Sequence, residues 1–426
     1  MDLQLAKGVR DVPPEEKIVQ NKIVNILQEV FELYGFVPLE TPILERFETL
    51  AAKGGAGEGS DALKETFQLT DQGERKLGLR FELTTSLARF IGMNPQLRMP
   101  FKRYEMGPVF RDGPIKLGRY RQFWQCDIDT IGCKSMLAEA EILGVVQTVF
   151  DKLGLEVVVK VNNRKLLNGI LEQAGIKEKE EALISIDKLD KVGKRGVALE
   201  LIQRGYTEEQ IQVLFDLISA EVTLADLKEQ LTDPEALEGM KELTELFFNL
   251  DNLGVTITKF DVSLARGLSY YTGTVFEVYL KNGKFSSALA GGGRYDSMVG
   301  KFLGGGREIP GVGVAFGLAP IMDILKMEKE WKEKTPAQAY VIPIKTVADS
   351  LKVVQELRAA GIKVDFDLNS RNVSKNLEYI SALGIPYALI IGEDEIKQNK
   401  VLVRDMDSGQ QQLLTLKETI KKLQEQ

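Results

Sequence analysis

The sequence predicts an α+β chain of more than one domain, and three observations predict it. Strand signals gather in residues 103–131 and 274–289. Helical, highly charged segments fill 164–250. A β-α-β-α-β alternation follows Pro336. The length of 426 residues suits roughly two to four domains. Apolar content of 44% is ordinary for a globular protein and permits sizeable cores. A net charge of −7 gives no bulk sign of a nucleic-acid partner, although a local basic patch would suffice. No apolar run approaches the roughly 20 residues of a membrane span. The N-terminal residues lack a basic n-region and an apolar h-region, so a cytoplasmic location is expected.

Taken in order, residues 13–34 read as an amphipathic helix. Pro13 and Pro14 suit its first turn, and Val19, Ile23, Ile26, Leu27 and Val30 recur at helical spacing. Gly35 suits the left-handed position that ends it. Phe36–Leu44 reads as extended, and Pro38 and Pro42 direct it to an edge or an interface. Residues 103–131 read as two strands around a polar loop. In the second strand Trp124, Cys126 and Ile128 alternate with Phe123, Gln125, Asp127 and Asp129. The polar face is either solvated or a ligand cleft; aspartate is a poor strand former, which keeps the cleft in play. The helical stretch reads as an inserted subdomain. Thr274–Leu280 and Lys284–Leu289 flank Asn282-Gly283, a hairpin signal. A glycine-rich stretch, Gly291–Gly317, precedes a helix into Lys334. Beyond Pro336, strands are expected at 340–344, 362–366, 387–391 and 401–405, with helices at 347–359, from a Ser370 cap to Leu383, and from Leu416.

Two features limit the chemistry. Cys126 and Cys133 match no zinc or redox spacing, so packed thiols and no metal site are expected. No histidine occurs, where a usage of roughly 2% would give about 8–9. Acid–base work must therefore fall to other groups.

Four constellations remain. Phe110 to Phe123 ends one strand with Arg111, crosses a loop containing Lys116, and opens the next strand with Arg119 and Arg121. Guanidinium forks match phosphate oxygens, and Phe123 can stack on a base; a plain basic hairpin is the alternative. Arg266-Gly-Leu-Ser-Tyr270-Tyr271-Thr-Gly lies between strands and presents two tyrosines, for a ligand or for the core. In Arg80-Phe-Glu82-Leu83-Thr84-Thr, Glu82 and Thr84 share one side of an extended segment. There they could capture an α-amino group, or form an ordinary surface strand. Ala290-Gly-Gly-Gly-Arg-Tyr-Asp296 and Gly304–Gly306 allow close backbone approach, or form flexible turns; they lack the Lys-Ser/Thr of a phosphate-binding P-loop.

Together these segments resemble the histidyl-tRNA synthetases along nearly the whole chain. Arg266–Gly273 and Ala290–Asp296 are similar to the two histidine motifs, Thr41-Pro42 to class II motif 1, and Phe110–Asp129 to motif 2. Asp187-Lys-Leu-Asp-Lys191 sits in an insertion resembling the eukaryote-like branch. The resemblance implies a mixed, mainly antiparallel sheet with helices as a catalytic core over 1–330, with the helical insertion at about 164–255. A linker at 331–337 and an α/β anticodon-binding domain at 338–426 would follow. It implies a homodimer that uses ATP with Mg2+, L-histidine and tRNA(His), with no membrane partner. Glu82, Leu83, Thr84, Arg111, Gln125, Asp129, Arg266, Tyr270 and Tyr271 would bind histidine. Arg111, Arg119, Phe123 and Arg307 would bind ATP. Arg266 and Arg111 would be catalytic, and Lys116 and Arg119 would approach the acceptor end of the tRNA.

One departure stands out. Motif 3 of the family ends in Glu-Arg, whereas this chain has Gly317-Leu-Ala-Pro320. Pro320 can begin a helix but cannot bind phosphate, so Arg307 is the suggested stand-in. A non-catalytic relative, such as the regulatory subunit of ATP phosphoribosyltransferase, would explain that departure. The complete C-terminal domain and the retained Arg111, Gln125 and Arg266 speak for the ligase.

Overall fold

The computed structural model describes residues 3–51, 64–115, 120–219, 222–266, 270–283, 285, 287–302, 308–328 and 334–425. They form two compact units: Met1–Arg10 with Ile23–Leu325, and Asp11–Lys22 with Lys326–Gln426.

The first unit is built on an eight-stranded sheet. Its strands are β1 (Val37–Pro38), β5 (Phe101–Phe110), β6 (Gln122–Ile131), β7 (Val157–Asn163), β8 (Thr258–Phe260), β9 (Thr274–Leu280), β10 (Ala290–Arg294) and β11 (Gly311–Gly317). The order is β1-β5-β6-β11-β10-β9-β7-β8. Only the outermost pairs, β1 with β5 and β7 with β8, are parallel; the interior is antiparallel. β1 carries Pro38 at one edge, where a missing donor breaks no central ladder. A second sheet joins β2 (Leu44–Arg46), β3 (Gln68–Thr70) and β4 (Lys76–Leu79) in the order β2-β4-β3.

Alternation divides the large sheet into an apolar face and a polar one. Cys126, Ile128, Val312, Val314, Phe316 and Val278 are buried on the apolar face. Phe316 meets Phe31 at 5.6 Å and Phe150 at 6.1 Å between ring centroids. Phe150 belongs to the helix Leu137–Leu153, which is apolar along most of its length because the greater part of it is buried.

Two expectations are corrected here. Among the described residues, Lys284–Leu289 contains no strand; the partner of β9 is β10, paired from Ala290 opposite Val278. Asn282-Gly283 only opens the connection, with Gly283 at φ 67°. Ala290–Arg294 is also no flexible turn but a central strand. At Gly292 a Cβ would strike the β11 backbone, so only glycine permits that spacing. β7 was not anticipated, although Val157–Val161 is β-branched at four of its five positions.

Between β7 and β8 the described residues form six helices: Arg164–Gln173, Lys179–Ile186, Leu189–Gln203, Glu208–Leu217, Leu224–Gln230 and Pro234–Leu253. Their starts are encoded locally. Thr207 with Gln210 and Thr223 with Asp226 form reciprocal capping boxes, and Asp233 caps the helix that Pro234 opens.

The second unit has a five-stranded sheet of β12 (Ala339–Pro343), β13 (Val364–Phe366), β14 (Tyr387–Ile391), β15 (Lys400–Asp405) and β16 (Gln411–Thr415), ordered β13-β12-β14-β15-β16. The first three strands are parallel and the last two antiparallel. Val341, Leu357, Leu389 and Val403 share its core with Leu423 of the terminal helix. Ser370 is not the helix cap that was expected. It sits at φ 51° in the preceding turn, and Asn372 accepts the amide hydrogen of Lys375 at 2.9 Å instead. β16 escaped notice because three of its five residues are exposed and a single Leu413-Leu414 pair shows no alternation.

One buried ion pair ties β10 to the helix behind the sheet. Arg294 reaches both Glu139 oxygens, at 2.6 and 2.7 Å, with both side chains almost wholly buried. Arg294→Ala would leave Glu139 unpaired. It is expected to cost about 3–5 kcal/mol, read as a lower denaturant midpoint, with a smaller loss when Glu139→Ala is added.

Candidate active site

The polar face of the sheet is floored by glycines where β10 and β11 cross its middle. Cross-strand rows run Arg103–Asp129–Gly313–Gly293–Val275 and Glu105–Asp127–Ala315–Gly291–Glu277, with Gly107–Gln125–Gly317 beside them. The neighbours require these glycines. A Cβ on Gly313 would overlap Asp129 Oδ1, and one on Gly107 would overlap Arg80 Nη2. A Cβ on Gly291 would stand 2.5 Å from Arg266 Nη1, and one on Gly293 would stand 2.9 Å from the Tyr271 ring. The glycine-rich motif and the charged side chains are thus two halves of one concave surface.

A buried charge network supports one wall. Arg103 is fully buried and pairs with Asp129 at 2.7 Å and with Glu105 at 3.5 Å. The other Asp129 oxygen accepts the Tyr295 hydroxyl. Glu105 Oε1 accepts the Thr41 amide at 2.8 Å, the Thr41 hydroxyl at 2.7 Å and Arg80 Nη1 at 2.9 Å. Arg80 also donates to the carbonyls of Thr41 and Pro108, at 2.8 and 2.9 Å. Asp127 and Asp129 are therefore buried rather than on a solvated face. Burial raises both carboxyl pKa values, with Arg103 opposing it.

Glu82, Leu83 and Thr84 correct the expectation of an extended segment. Thr84 opens the helix Thr84–Met93. Glu82 turns onto that helix start, accepting the amides of Thr84 and Thr85 at 2.8 Å each, and the Thr85 hydroxyl. Free amides at a helix start attract a carboxylate, which overrides the strand-like pattern. The Leu83 side chain lies in the core, leaving its backbone as the part able to meet a ligand.

Arg266, Tyr270 and Tyr271 do come together. The tyrosine rings lie 4.6 Å apart, and the Arg266 guanidinium stands 5.3 Å from the Tyr271 ring. Arg266 also lies 3.5 Å from Glu277 and from the Gly292 carbonyl. Tyr270 meets Tyr295 edge-on at 6.5 Å. Burial, then the nearby Glu82 charge, pushes the Tyr270 hydroxyl up to about 12, so it stays a donor near neutral pH.

Next to this pocket is a cavity of about 340 Å3, lined by Arg111, Tyr120, Phe123, Gln125, Ala319 and Pro320 among others. Arg111 lies over Phe81 at 4.4 Å and over Phe123 at 4.9 Å, which fixes the plane of its fork. Pro320 sits in the first turn of the helix Leu318–Glu328, where its missing amide hydrogen costs no helical bond. Gln125 lines the cavity and also approaches Asp127 at 3.5 Å, so it joins the two hollows. Lys116, Arg119, Gly267–Ser269, Gly304–Gly306 and Arg307 lie outside the described residues. Sequence reasoning gave no role to Arg103, Glu105 or Tyr295. The alternation of Arg103 and Glu105 along β5 was the available signal.

An antiparallel sheet with a glycine floor, together with a separate α/β unit, fits the class II aminoacyl-tRNA synthetase plan. The family model described as histidyl-tRNA synthetase matches residues 8–321, and the anticodon binding domain model matches 338–426. Histidine–tRNA ligase 1 of Bacillus cereus is 42% identical over 415 residues, covering 96% of each chain. Histidine–tRNA ligase of Bacteroides fragilis is 37% identical, covering 98% of each. The crystal structure of histidyl-tRNA synthetase from Nostoc sp. PCC 7120 superposes with a TM-score of 0.88 at 31% identity, covering 100% of this chain and 99% of that one. The chain belongs to the histidyl-tRNA synthetase family. These relatives are bacterial, and they lend no support to the eukaryote-like assignment.

Gly313→Ala tests the floor directly. The added methyl must displace Asp129 or the Ile128 carbonyl, so a loss of about 1–3 kcal/mol in denaturant stability is expected.

Proposed function

We propose that this chain is a histidine–tRNA ligase. It activates L-histidine with ATP to histidyl-adenylate and transfers the histidyl group to tRNA(His). One observation carries the reading: an acidic, glycine-floored pocket shares Gln125 with a cavity that holds an arginine fork and an aromatic ring.

Histidine occupies the pocket, its ammonium group near Glu82 and the helix start at Thr84, its ring between Tyr270, Tyr271 and the sheet. ATP occupies the cavity. Its adenine stacks on Phe123, Arg111 grips the α-phosphate, and Arg119 and Arg307 take the distal phosphates, with Mg2+ bound to ATP. A histidine carboxylate oxygen attacks the α-phosphorus, and the bond to pyrophosphate breaks. Arg266 offsets the growing negative charge, as does the Arg111 fork; Mg2+ carried by ATP would add further neutralisation of the phosphates. A hydroxyl at the tRNA 3′ end then attacks the adenylate carbonyl and releases AMP.

The same reading makes residues 1–330 the catalytic core, with the helical insertion at about 164–255. Residues 331–337 form the linker, and 338–426 bind the anticodon. It makes the enzyme a cytoplasmic homodimer; no helix among the described residues is long and apolar enough to cross a membrane. Pro320 favours one rival, a histidine-binding relative without ligase activity.

Histidine-dependent ATP–pyrophosphate exchange separates the two. Exchange with histidine and no other amino acid is expected; histidine binding without exchange would identify the rival. Arg307→Ala is expected to raise the ATP KM by about tenfold or more, the cost of one charge-assisted contact. An unchanged KM would remove Arg307 from the phosphate site.

A further inference from the structure

The helix side of the large sheet holds a cavity of about 600 Å3, larger than the 340 Å3 hollow on the other face. One wall is the helix Leu137–Leu153, which offers Leu137, Glu141, Gly144 and Thr148 at helical spacing. The start of β5, the end of β6, and Leu253 with Val255 close the rest. Its volume and its mainly apolar lining with a few polar groups are those of a small-molecule site, for which roughly 300–1,000 Å3 is usual.

The polar side chains in the wall satisfy one another or the backbone, with one exception. Gln147 donates to the Gly254 carbonyl at 3.3 Å and accepts the Thr256 amide at 2.9 Å. Thr148 gives its hydrogen to the Gly144 carbonyl at 3.0 Å, so Tyr34 is the donor in their 2.9 Å contact. Lys102 donates to the Tyr34 carbonyl and to Glu141, at 2.6 Å each. The exception is Thr130. It is 3% exposed, and its hydroxyl has no hydrogen-bond partner among the described residues. Strand alternation places it with Cys126 and Ile128 on the helix side, whereas its neighbour Asp129 faces the pocket proposed for histidine. Stability does not explain the hydroxyl, because an unsatisfied one is penalised and a valine of the same shape would not be.

The wall also indicates what kind of molecule would satisfy it. Lys102 and Glu141 pair with each other, so the cavity favours a ligand without charge. Thr130 stands directly across β5–β6 from Lys102. An oxygen acceptor placed there meets a hydroxyl donor with an ammonium group beside it.

We propose that this cavity is a second ligand site, on the opposite face of the sheet from the histidine pocket. It takes a small neutral molecule with an apolar body and a carbonyl oxygen that accepts a hydrogen bond from Thr130.

Cys133 makes the proposal measurable. It lines the cavity and is half-buried, whereas Cys126 is wholly buried in the apolar face. N-ethylmaleimide is a neutral carbonyl compound of the proposed class; the thiol adds across its double bond, sulfur to one carbon and hydrogen to the other. N-ethylsuccinimide has nearly the same shape and cannot react. The full chain is labelled over a range of maleimide concentrations and followed by intact mass, with Cys133→Ser as the control for position. One label at Cys133 is expected, at a rate that levels off as the reagent binds before it reacts, and N-ethylsuccinimide is expected to slow it. Thr130→Val is expected to raise the half-saturating concentration about three- to tenfold, the loss of one hydrogen bond, and to weaken the protection by the same factor. A rate strictly proportional to concentration and indifferent to N-ethylsuccinimide would show an exposed thiol without a site. Saturation unchanged in Thr130→Val, or a folded chain that takes no label, would also overturn the proposal. Protection in the unsubstituted protein decides the matter if the valine variant does not fold.

Discussion

The fully buried guanidinium of Arg103 is the constraint on which the site depends. A guanidinium in the middle of a sheet is tolerable only with carboxylates around it, and Asp129 and Glu105 supply them from the neighbouring strand and from its own. Glu105 then recruits Arg80 and Thr41, and Asp129 recruits Tyr295. Through these contacts the segment after β1, the approach to the helix Thr84–Met93, both long strands and the end of β10 hold one another in register. Breaking any member leaves another charge buried without compensation.

The glycines are the complement of that network. Side chains as large as Arg266, Tyr271 and Asp129 can lean over the sheet only where the strands beneath have no Cβ, which is why β10 and β11 are rich in glycine. A sheet floored this way resists collapse, because its walls are set by ion pairs and aromatic packing and not by the ligand. Such preorganisation suits an enzyme that must distinguish one small amino acid and orient its carboxylate toward a nucleotide.

Much of this could be read in the sequence where a local cause sets the structure. The first helix ends at Gly35, which has φ 75°, and the alternation in Phe123–Asp129 gave both the strand and its polar face. Reading failed where a contact outside the helix or strand period decides. Glu82 and Thr84 looked extended because the helix amides that draw Glu82 inward are invisible to periodicity. Asn282-Gly283 promised a tight hairpin, yet β9 pairs with glycines whose strand character comes only from their neighbours. Arg103 and Glu105 fell outside every motif, and Tyr295, inside Ala290–Asp296, was given no role, because all three hold other site residues in place.

The most direct measurement of the account is a crystal structure of the protein with L-histidine. It should place the imidazole over Gly291, Gly313 and Ala315 with a ring nitrogen facing the carboxylates of β6, and leave the Arg103–Asp129 pair intact. A histidine bound away from that floor, or one that displaces Arg103 from Asp129, would contradict the account.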